Sequence, residues 1–284
     1  MSKTLIIMPI YGAWDYVKES LASVANCTLP DHYDFAMIVN PCDEDKELLE
    51  ADEPGYDFAY GRVASILPVD DIEVYLLPQT RNQGVSKSWN IGIKQGLKVE
   101  QHYDSYLFLN SDVVVHDSWL AMLRWTMQQS RGTKDGEHIR PLCIQPELTE
   151  GGNPDRESIM SNLRKDPVSS RVGSGISGPC FMLTHECISR VGFFDEGFRY
   201  GYYEDTDYLT RIRQAGQQPV IAGRSYIHHY HAKSRTRIKD WDEIQLANKR
   251  YFERKWAVHL PSSLDAKSFP TIKSLREEHG YLIS

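Results

Sequence analysis

No stretch of this chain stays apolar for long. The longest such run, TLIIMPI at residues 4–10, falls far short of the ~20 residues that cross a bilayer, and neither a basic flank nor a small-residue cleavage site accompanies it. A membrane-spanning helix and an export signal are therefore not expected. Cysteine is scarce: the five residues at 27, 42, 143, 180 and 187 are odd in number, scattered, and include no C-x-x-C pair. That excludes a disulfide framework or zinc knuckle as the organising element and fits a reducing, cytoplasmic setting. Repeats and low-complexity tracts are missing, as is the phosphate loop spacing G-x-x-x-x-G-K-[ST]. Positive charge is not in excess, with 32 Lys and Arg against 39 Asp and Glu, a formal charge of −7, so a broad nucleic-acid footprint is not the default. A hydrophobic share of 41% excludes a disordered or collagen-like chain, and 284 residues are enough for one large core.

What is present is a rhythm of short strands and amphipathic helices. β-branched and aromatic residues mark strands at Thr4 to Met8, Phe35 to Asn40, Glu73 to Leu77 and Tyr106 to Leu109. Helical spacing aligns Val17, Leu21 and Val24 on one face, and Trp89, Ile93 and Leu97 on another. A third helix is expected to start at an Asp117 cap and to bury Leu120, Leu123 and Met127. Strand, helix, strand in this order implies a parallel sheet covered by helices, whose ligands bind beyond the carboxyl ends of the strands. Those ends carry Pro9, Tyr11 and Gly12, then Asn40, Pro41 and Asp43, then Asn110, Ser111 and Asp112. Asp43 to Asp57 holds eight carboxylates opposed only by Lys46 and reads as an exposed insertion. Residues 146–175 read as a loop, long enough to be functional. A strand near Ile176 to Thr184, a short helix, a helix from Glu204 to Gly216 and a helical tail over 240–256 complete the chain, the tail placing Trp241, Ile244, Tyr251 and Phe252 on one side.

Charge is unevenly distributed. From Arg224 to Lys255, nine Lys and Arg face four acids, a local balance of +5 against −12 for the remainder. Such asymmetry points to an anionic ligand near the C-terminal third, although a solvated helix face explains residues 240–256 equally well.

Four segments carry chemistry. In YLFLNSDVVV an apolar strand delivers Asn110, Ser111 and Asp112 to a turn; a carboxylate there is costly unless paired or bound to a cation, and it suits a divalent metal with a diphosphate. A turn Asp bonded to its own backbone is the plainer alternative. In GFFDEGFRYGYYEDTDYLTRIRQAG, Glu204, Asp205 and Asp207 crowd one helix start, more acids than capping needs, and Asp207 can pair with Arg211. A carboxylate held among aromatics is a candidate general base. In SYIHHYHAKSRTR, strand alternation puts His229 and His231 on one face and His228 on the other, ahead of Lys233, Arg235 and Arg237: a metal-and-phosphate corner. In RNQGVSKSWNIGI, Asn82, Gly84 and Asn90 sit at a strand-to-helix turn where backbone amides can approach a ligand.

In this order the segments resemble the inverting family-2 glycosyltransferases of the GT-A fold. TLIIMPIYG is similar to their first strand, FAMIVNPCDED to their second, RNQGVSKSWNIGI to their N-x-G-x-x-x-x-x-N-x-G segment, and LNSD stands where their D-x-D lies. GPCFMLTHECISRVGFFDEGFRYGYYEDTDYLTRIRQAG is similar to their acceptor-side stretch ending in the E-D motif, and NKRYFERKW to their C-terminal helix. The resemblance implies an α/β, GT-A fold with a mostly parallel nucleotide-binding sheet flanked by helices. Residues 1–239 would form the transferase domain, with a nucleotide-sugar half at 1–115 and an acceptor half at 116–239, and residues 240–284 a helical extension.

The resemblance also assigns roles. Asp112 would hold Mn²⁺ or Mg²⁺ against the donor diphosphate, with His229 and His231 completing the site; which of His228, His229 and His231 binds stays open. Asp205 would be the general base, with Gly178 and Glu204 on the acceptor. Pro9, Tyr11, Asn40, Arg81, Asn82, Gly84, Asn90, Asn110, Ser111, Lys233 and Arg235 would contact the nucleotide sugar. Asn40 and Asn110 stand where the family commonly has Asp. The implied activity is metal-dependent, inverting transfer from a nucleotide-diphosphate sugar to a hydroxyl of a glycan or lipid-linked saccharide, with peripheral membrane contact through the basic segment as an option. A hydroxymethylated base in DNA is the alternative acceptor, and a nucleotide-sugar-binding protein without catalysis is a further alternative. A sugar-nucleotide pyrophosphorylase would need a glycine-rich basic first loop, whereas residues 9–15 hold one glycine and no Lys or Arg.

Overall fold

The computed structural model describes residues 3–29, 32–43, 45, 56–67, 71–99, 103–129, 131–132, 138–151, 170–231 and 233–257. Strand β1 (Lys3–Tyr11) is buried on both faces, and its alternation separates two cores: Ile6, Met8 and Ile10 enter one, Leu5 and Ile7 the other. Strands β2 (Tyr33–Asn40), β3 (Val74–Pro78) and β4 (Tyr103–Leu109) run parallel with it in the order β3-β2-β1-β4. The crossovers carry α1 (Trp14–Cys27), α2 (Tyr56–Ala64) and α3 (Val85–Lys98). There follow β5 (Val113–Val115), α4 (Trp119–Gln128), a small pair β6 (Arg131–Gly132) and β7 (His138–Ile139), β8 (Cys143–Glu150), β9 (Arg171–Val172) and β10 (Cys180–Thr184). The chain continues through α5 (His185–Val191), α6 (Glu204–Gln214), β11 (Val220–His229), a 3₁₀ turn (Arg235–Arg237) and α7 (Trp241–Trp256). The second half extends the sheet as β10-β8-β11-β5, with β10 antiparallel to β4 and β11 antiparallel to β5. The result is a mixed α/β fold around a mostly parallel sheet.

Helices α1 and α4 cover one face through Val17, Leu21, Val24, Leu120 and Leu123; α3 and α6 cover the other through Trp89, Ile93, Tyr208 and Ile212. At the amino ends of the strands, buried Asp34 accepts from Lys3 Nζ (2.8 Å), the Tyr103 hydroxyl (2.9 Å) and the Glu73 N–H (2.9 Å), tying four strand ends together away from the ligand side. Among the described residues, no helix is long and apolar enough to cross a membrane.

Several local expectations change. Leu97 is exposed, because Gly96 faces the sheet: a Cβ there would lie 2.6 Å from the Leu5 side chain. Helix α4 begins at Trp119 rather than at an Asp117 cap; Ser118 is left-handed and the Trp119 N–H donates to the His116 carbonyl. Residues 146–150 continue β8 instead of opening a loop, 171–172 form β9, and 152–169 lie outside the described residues. In the acidic insertion, residues 46–55 likewise lie outside them, but Asp45 is buried, accepting from Trp14 Nε1 (2.9 Å) and the Cys42 thiol (3.1 Å). The helical tail is described to residue 257, and 258–284 lie beyond it.

Candidate active site

Strand β4 is apolar and buried to Leu109, so the polar triplet after it emerges at its carboxyl end. The Asn110 N–H donates to the Pro179 carbonyl (2.9 Å), and Ser111 and Asp112 are buried. Pairing of β11 with β5 sets His229 opposite Val113, directly beside Asp112. His229 Nε2 lies 3.1 Å from Asp112 Oδ1, while Asp112 Oδ2 accepts the Lys233 N–H at 3.1 Å. Burial pushes the Asp112 carboxyl up, but hydrogen bonding and charge from His229, with the Lys233 N–H, outweigh it and hold it below the ordinary carboxylate range. Burial also opposes a charged His229; the hydrogen bond to Asp112 and the carboxylate charge of Asp112 and the nearby Glu150 overcome this and raise it to about 9. The buried Nδ1 of His229 has no hydrogen-bond partner among the described residues, Glu150 Oε1 being 3.7 Å away.

The two other histidines separate from this pair. His228 faces the opposite side, its Nδ1 2.9 Å from Thr149 Oγ1. The strand ends at His229, so His231 does not share its face by strand alternation: it is exposed, at φ +64°, its ring centroid 5.5 Å from that of His229. Among the described residues no group of three or more His, Cys, Asp or Glu is arranged to hold a metal. A carboxylate with an imidazole nevertheless fits Mn²⁺ or Mg²⁺, which take remaining ligands from substrate phosphate oxygens.

Over the ends of β1 and β2 lies Arg237. Gly12 (φ +58°) makes room for it: a Cβ there would stand 2.9 Å from Arg237 Cδ and Nε and from Cys42 Sγ. Arg237 Nη1 donates to the Lys233 carbonyl (2.7 Å), and Tyr11 reaches the Arg237 carbonyl (3.5 Å). The three cations of this segment diverge, Lys233 lying 5.0 Å from the Tyr16 ring and Arg235 5.8 Å from the Trp241 ring. Pro9 is half-buried within β1, and Arg81 is exposed on the turn before α3.

Two expected ligand contacts are committed elsewhere. Asn40 donates to the Ile38 carbonyl and Ser88 Oγ (3.2 Å each) and accepts the Gln83 N–H (2.9 Å), fixing the turn. Asn90 donates to the Phe194 carbonyl (2.9 Å) and Glu196 Oε1 (3.0 Å) and accepts the Phe194 N–H (2.9 Å), so it anchors the loop before α6. Asn82 accepts the Gly84 N–H at 2.9 Å, and Gly84 (φ +75°, ψ 176°) runs against Tyr200, whose nitrogen would lie 2.8 Å from an added Cβ. Gly84→Ala is expected to destabilise the protein by about 1–3 kcal/mol through backbone strain alone, seen as a lower urea midpoint at unchanged slope.

The three acids of α6 have three different surroundings. Asp207 is fully buried and paired with Arg211 Nε (3.0 Å), Lys255 Nζ (2.7 Å) and Trp256 Nε1 (2.9 Å), so it is structural. Asp205 Oδ1 accepts the Thr206 N–H (2.7 Å) and hydroxyl (3.2 Å), and its Oδ2 stands 3.1 Å from where a Cβ on Gly178 would be. Glu204 is buried, and its Oε2 has no partner among the described residues. Burial raises both carboxyls, and the Asp205 charge adds to the rise of Glu204, from 4.5 to about 8. A carboxyl raised on folding stabilises the fold below its unfolded pKa and loses that contribution as pH climbs through the folded value. Glu204→Gln is therefore expected to leave the melting temperature unchanged near pH 4 and to raise it progressively toward pH 9; an equal shift at both pH values would refute the buried-acid reading.

One residue escaped the sequence reading. Asn248 of α7 is buried in the stripe of Ile244 and Phe252 and bonds the loop before α6 through both its amide atoms. Its signal was there: a polar residue four from each of two buried apolar ones.

No family model matches the chain, and no curated protein does. Solved structures do, as folds. GalNAc-T7 with UDP, GalNAc and Mn²⁺ aligns over 99% of this chain and 55% of its own, at 15% identity and TM-score 0.60. The mannosyltransferase PcManGT from Pyrobaculum calidifontis, in complex with GDP-Man and Mn²⁺, aligns over 90% and 63%, at 14% and 0.57. TarS of S. aureus aligns over 94% and 41%, at 12% and 0.53. The chain thus spans less than two thirds of the length of each, and at these identities the likeness establishes architecture: this chain has the GT-A fold.

Proposed function

We propose that the chain is a metal-dependent, inverting glycosyltransferase that moves a sugar from a nucleotide-diphosphate sugar to a saccharide hydroxyl. The observation that carries this is the segment Gly178–Pro179. Its Pro179 carbonyl accepts from the turn that bears Asp112, and its Gly178 packs on Asp205, so one two-residue segment links the Asp112–His229 pair to the carboxylates at the start of α6. The solved structures of like fold include ones with UDP or GDP-Man and Mn²⁺, which supports a nucleotide-sugar donor here.

Each group then has a task. Asp112 and His229 would hold Mn²⁺ or Mg²⁺, which supplies charge neutralisation for a departing diphosphate. Arg237, at the ends of β1 and β2, adds a fixed positive charge on the same side. Asp205 accepts the proton of the acceptor hydroxyl as that oxygen attacks the anomeric carbon, and Glu204, protonated at neutral pH, lets its neighbour remain ionised. A single displacement inverts the anomeric carbon.

The test is nucleotide release by the purified protein from a panel of UDP-, GDP-, dTDP- and CMP-sugars, with and without Mn²⁺. Metal-stimulated release from at least one donor, with an inverted product, is expected. No release from any donor, or a product of retained configuration, overturns the reading.

A further inference from the structure

We propose that Tyr202, backed by Trp241, is the stacking surface for a pyranose ring of the acceptor, and that Asn248 holds this surface beside Asp205. The inference rests on the transferase reading above and extends it to the acceptor.

The loop entering α6 is backbone of an unusual kind. Tyr200 (φ +56°), Tyr202 (φ +80°) and Tyr203 (φ +74°) all lie in the left-handed region, where bulky residues are rarely found unless surrounding structure holds them. The holder is Asn248. Its Nδ2 donates to the carbonyls of Arg199 (2.8 Å), Gly201 (2.7 Å) and Tyr202 (3.2 Å), and its Oδ1 accepts the Arg199 N–H (3.0 Å). A buried amide meeting four backbone groups of one loop fixes the shape of that loop.

The shape it fixes turns consecutive tyrosines apart. Tyr203 packs inward, 5.7 Å from the Phe252 ring. Tyr202 turns outward, 37% exposed, with Trp241 edge-on at 5.6 Å and 77°. Tyr202 serves neither core nor helix cap, yet it stands three residues from the proposed base in a strained conformation. A supported aromatic face next to polar groups suits the apolar C–H face of a pyranose, whose hydroxyls point toward the carboxylates.

In the basic segment, Lys255 is held by Asp195 and Asp207 and Lys249 lies 3.9 Å from Glu253, while Arg235 lies 5.8 Å from the Trp241 ring, beside the proposed platform.

The test separates this proposal from the function it extends. Saturation-transfer NMR on the full chain, without donor, uses the methyl pyranosides of glucose, galactose, mannose and N-acetylglucosamine as probes, and an oligonucleotide with 5-hydroxymethylcytosine as the rival. Contact with at least one pyranoside, weakened about tenfold by Tyr202→Ala and retained by Tyr202→Phe, is expected. Where a donor is turned over, Tyr202→Ala should raise the acceptor KM by a similar factor with a smaller change in kcat, and Tyr202→Phe should restore the KM. Asn248→Ala should reproduce that KM effect, and its melting curve shows that it folds. Wild-type contact with no pyranoside, contact unaltered in Tyr202→Ala, or contact with the oligonucleotide alone overturns the platform. Failure of every donor to release nucleotide overturns the transferase reading and leaves the donor-free NMR result standing.

Discussion

Asp205→Asn is expected to lower sugar transfer at least about 100-fold while nucleotide-sugar binding stays within about twofold. General-base assistance is typically worth ~10²- to 10⁴-fold, and the asparagine keeps the shape that meets Thr206 and Gly178 but cannot accept a proton. The role proposed for Asp205 is toward the acceptor, so donor affinity should not follow the rate. Burial raises the Asp205 carboxyl despite its bonds to Thr206. Because the working form is ionised, the wild-type rate should rise with pH through that raised value and then level, and the residual rate of the variant should lack this limb. Retention of more than about a tenth of the rate would remove Asp205 from the chemistry.

Asp112→Ala is expected to abolish the metal-dependent part of donor binding, weakening it about 100-fold or more, and to make the protein indifferent to added Mn²⁺ or to chelator. The change also strips His229 of its buried counter-charge and frees the Lys233 N–H, so some loss of stability should accompany it. Asp112→Asn keeps the volume and the acceptor for Lys233 while lowering metal affinity, and urea melts of both variants separate folding from binding. Donor binding by either variant that still rises with Mn²⁺ at the wild-type concentration would place the metal elsewhere.

Much of this was written in the sequence at the level of pattern. Continuous apolar runs in β1 and β4 announced themselves because a central strand is buried on both faces, and the apolar stripes of α1 and α4 because one side of each helix meets the sheet. Asp112, Asp205 and His229 stood out as charge or imidazole at the ends of apolar segments. Less legible were side chains whose partners come from far along the chain. Asn40 and Asn90 read as ligand contacts, yet their amides bond residues 43 to 106 positions away, except for one local bond of Asn40 to Ile38. His231 does lie near His229, at 5.5 Å between ring centroids, but through a left-handed turn after the strand ends rather than by strand alternation. The +5 segment read as one anion site, whereas its two ends meet different partners: Arg237 packs over Gly12 after β1, and Lys255 of α7 is paired with Asp195 and Asp207.

The position of β11 in the sheet has a kinetic consequence. It enters between β8 and β5, and only its arrival brings His229 to Asp112 across a separation of 117 residues. Closing so long a loop is slow, and local strand and helix contacts in the first half can form well before it. A nascent chain ending before residue 220 therefore carries the β3-β2-β1-β4 strands without the metal pair. Acquisition of Mn²⁺-dependent nucleotide binding during refolding should lag behind helix formation, making the metal response itself a clock for the final step of assembly.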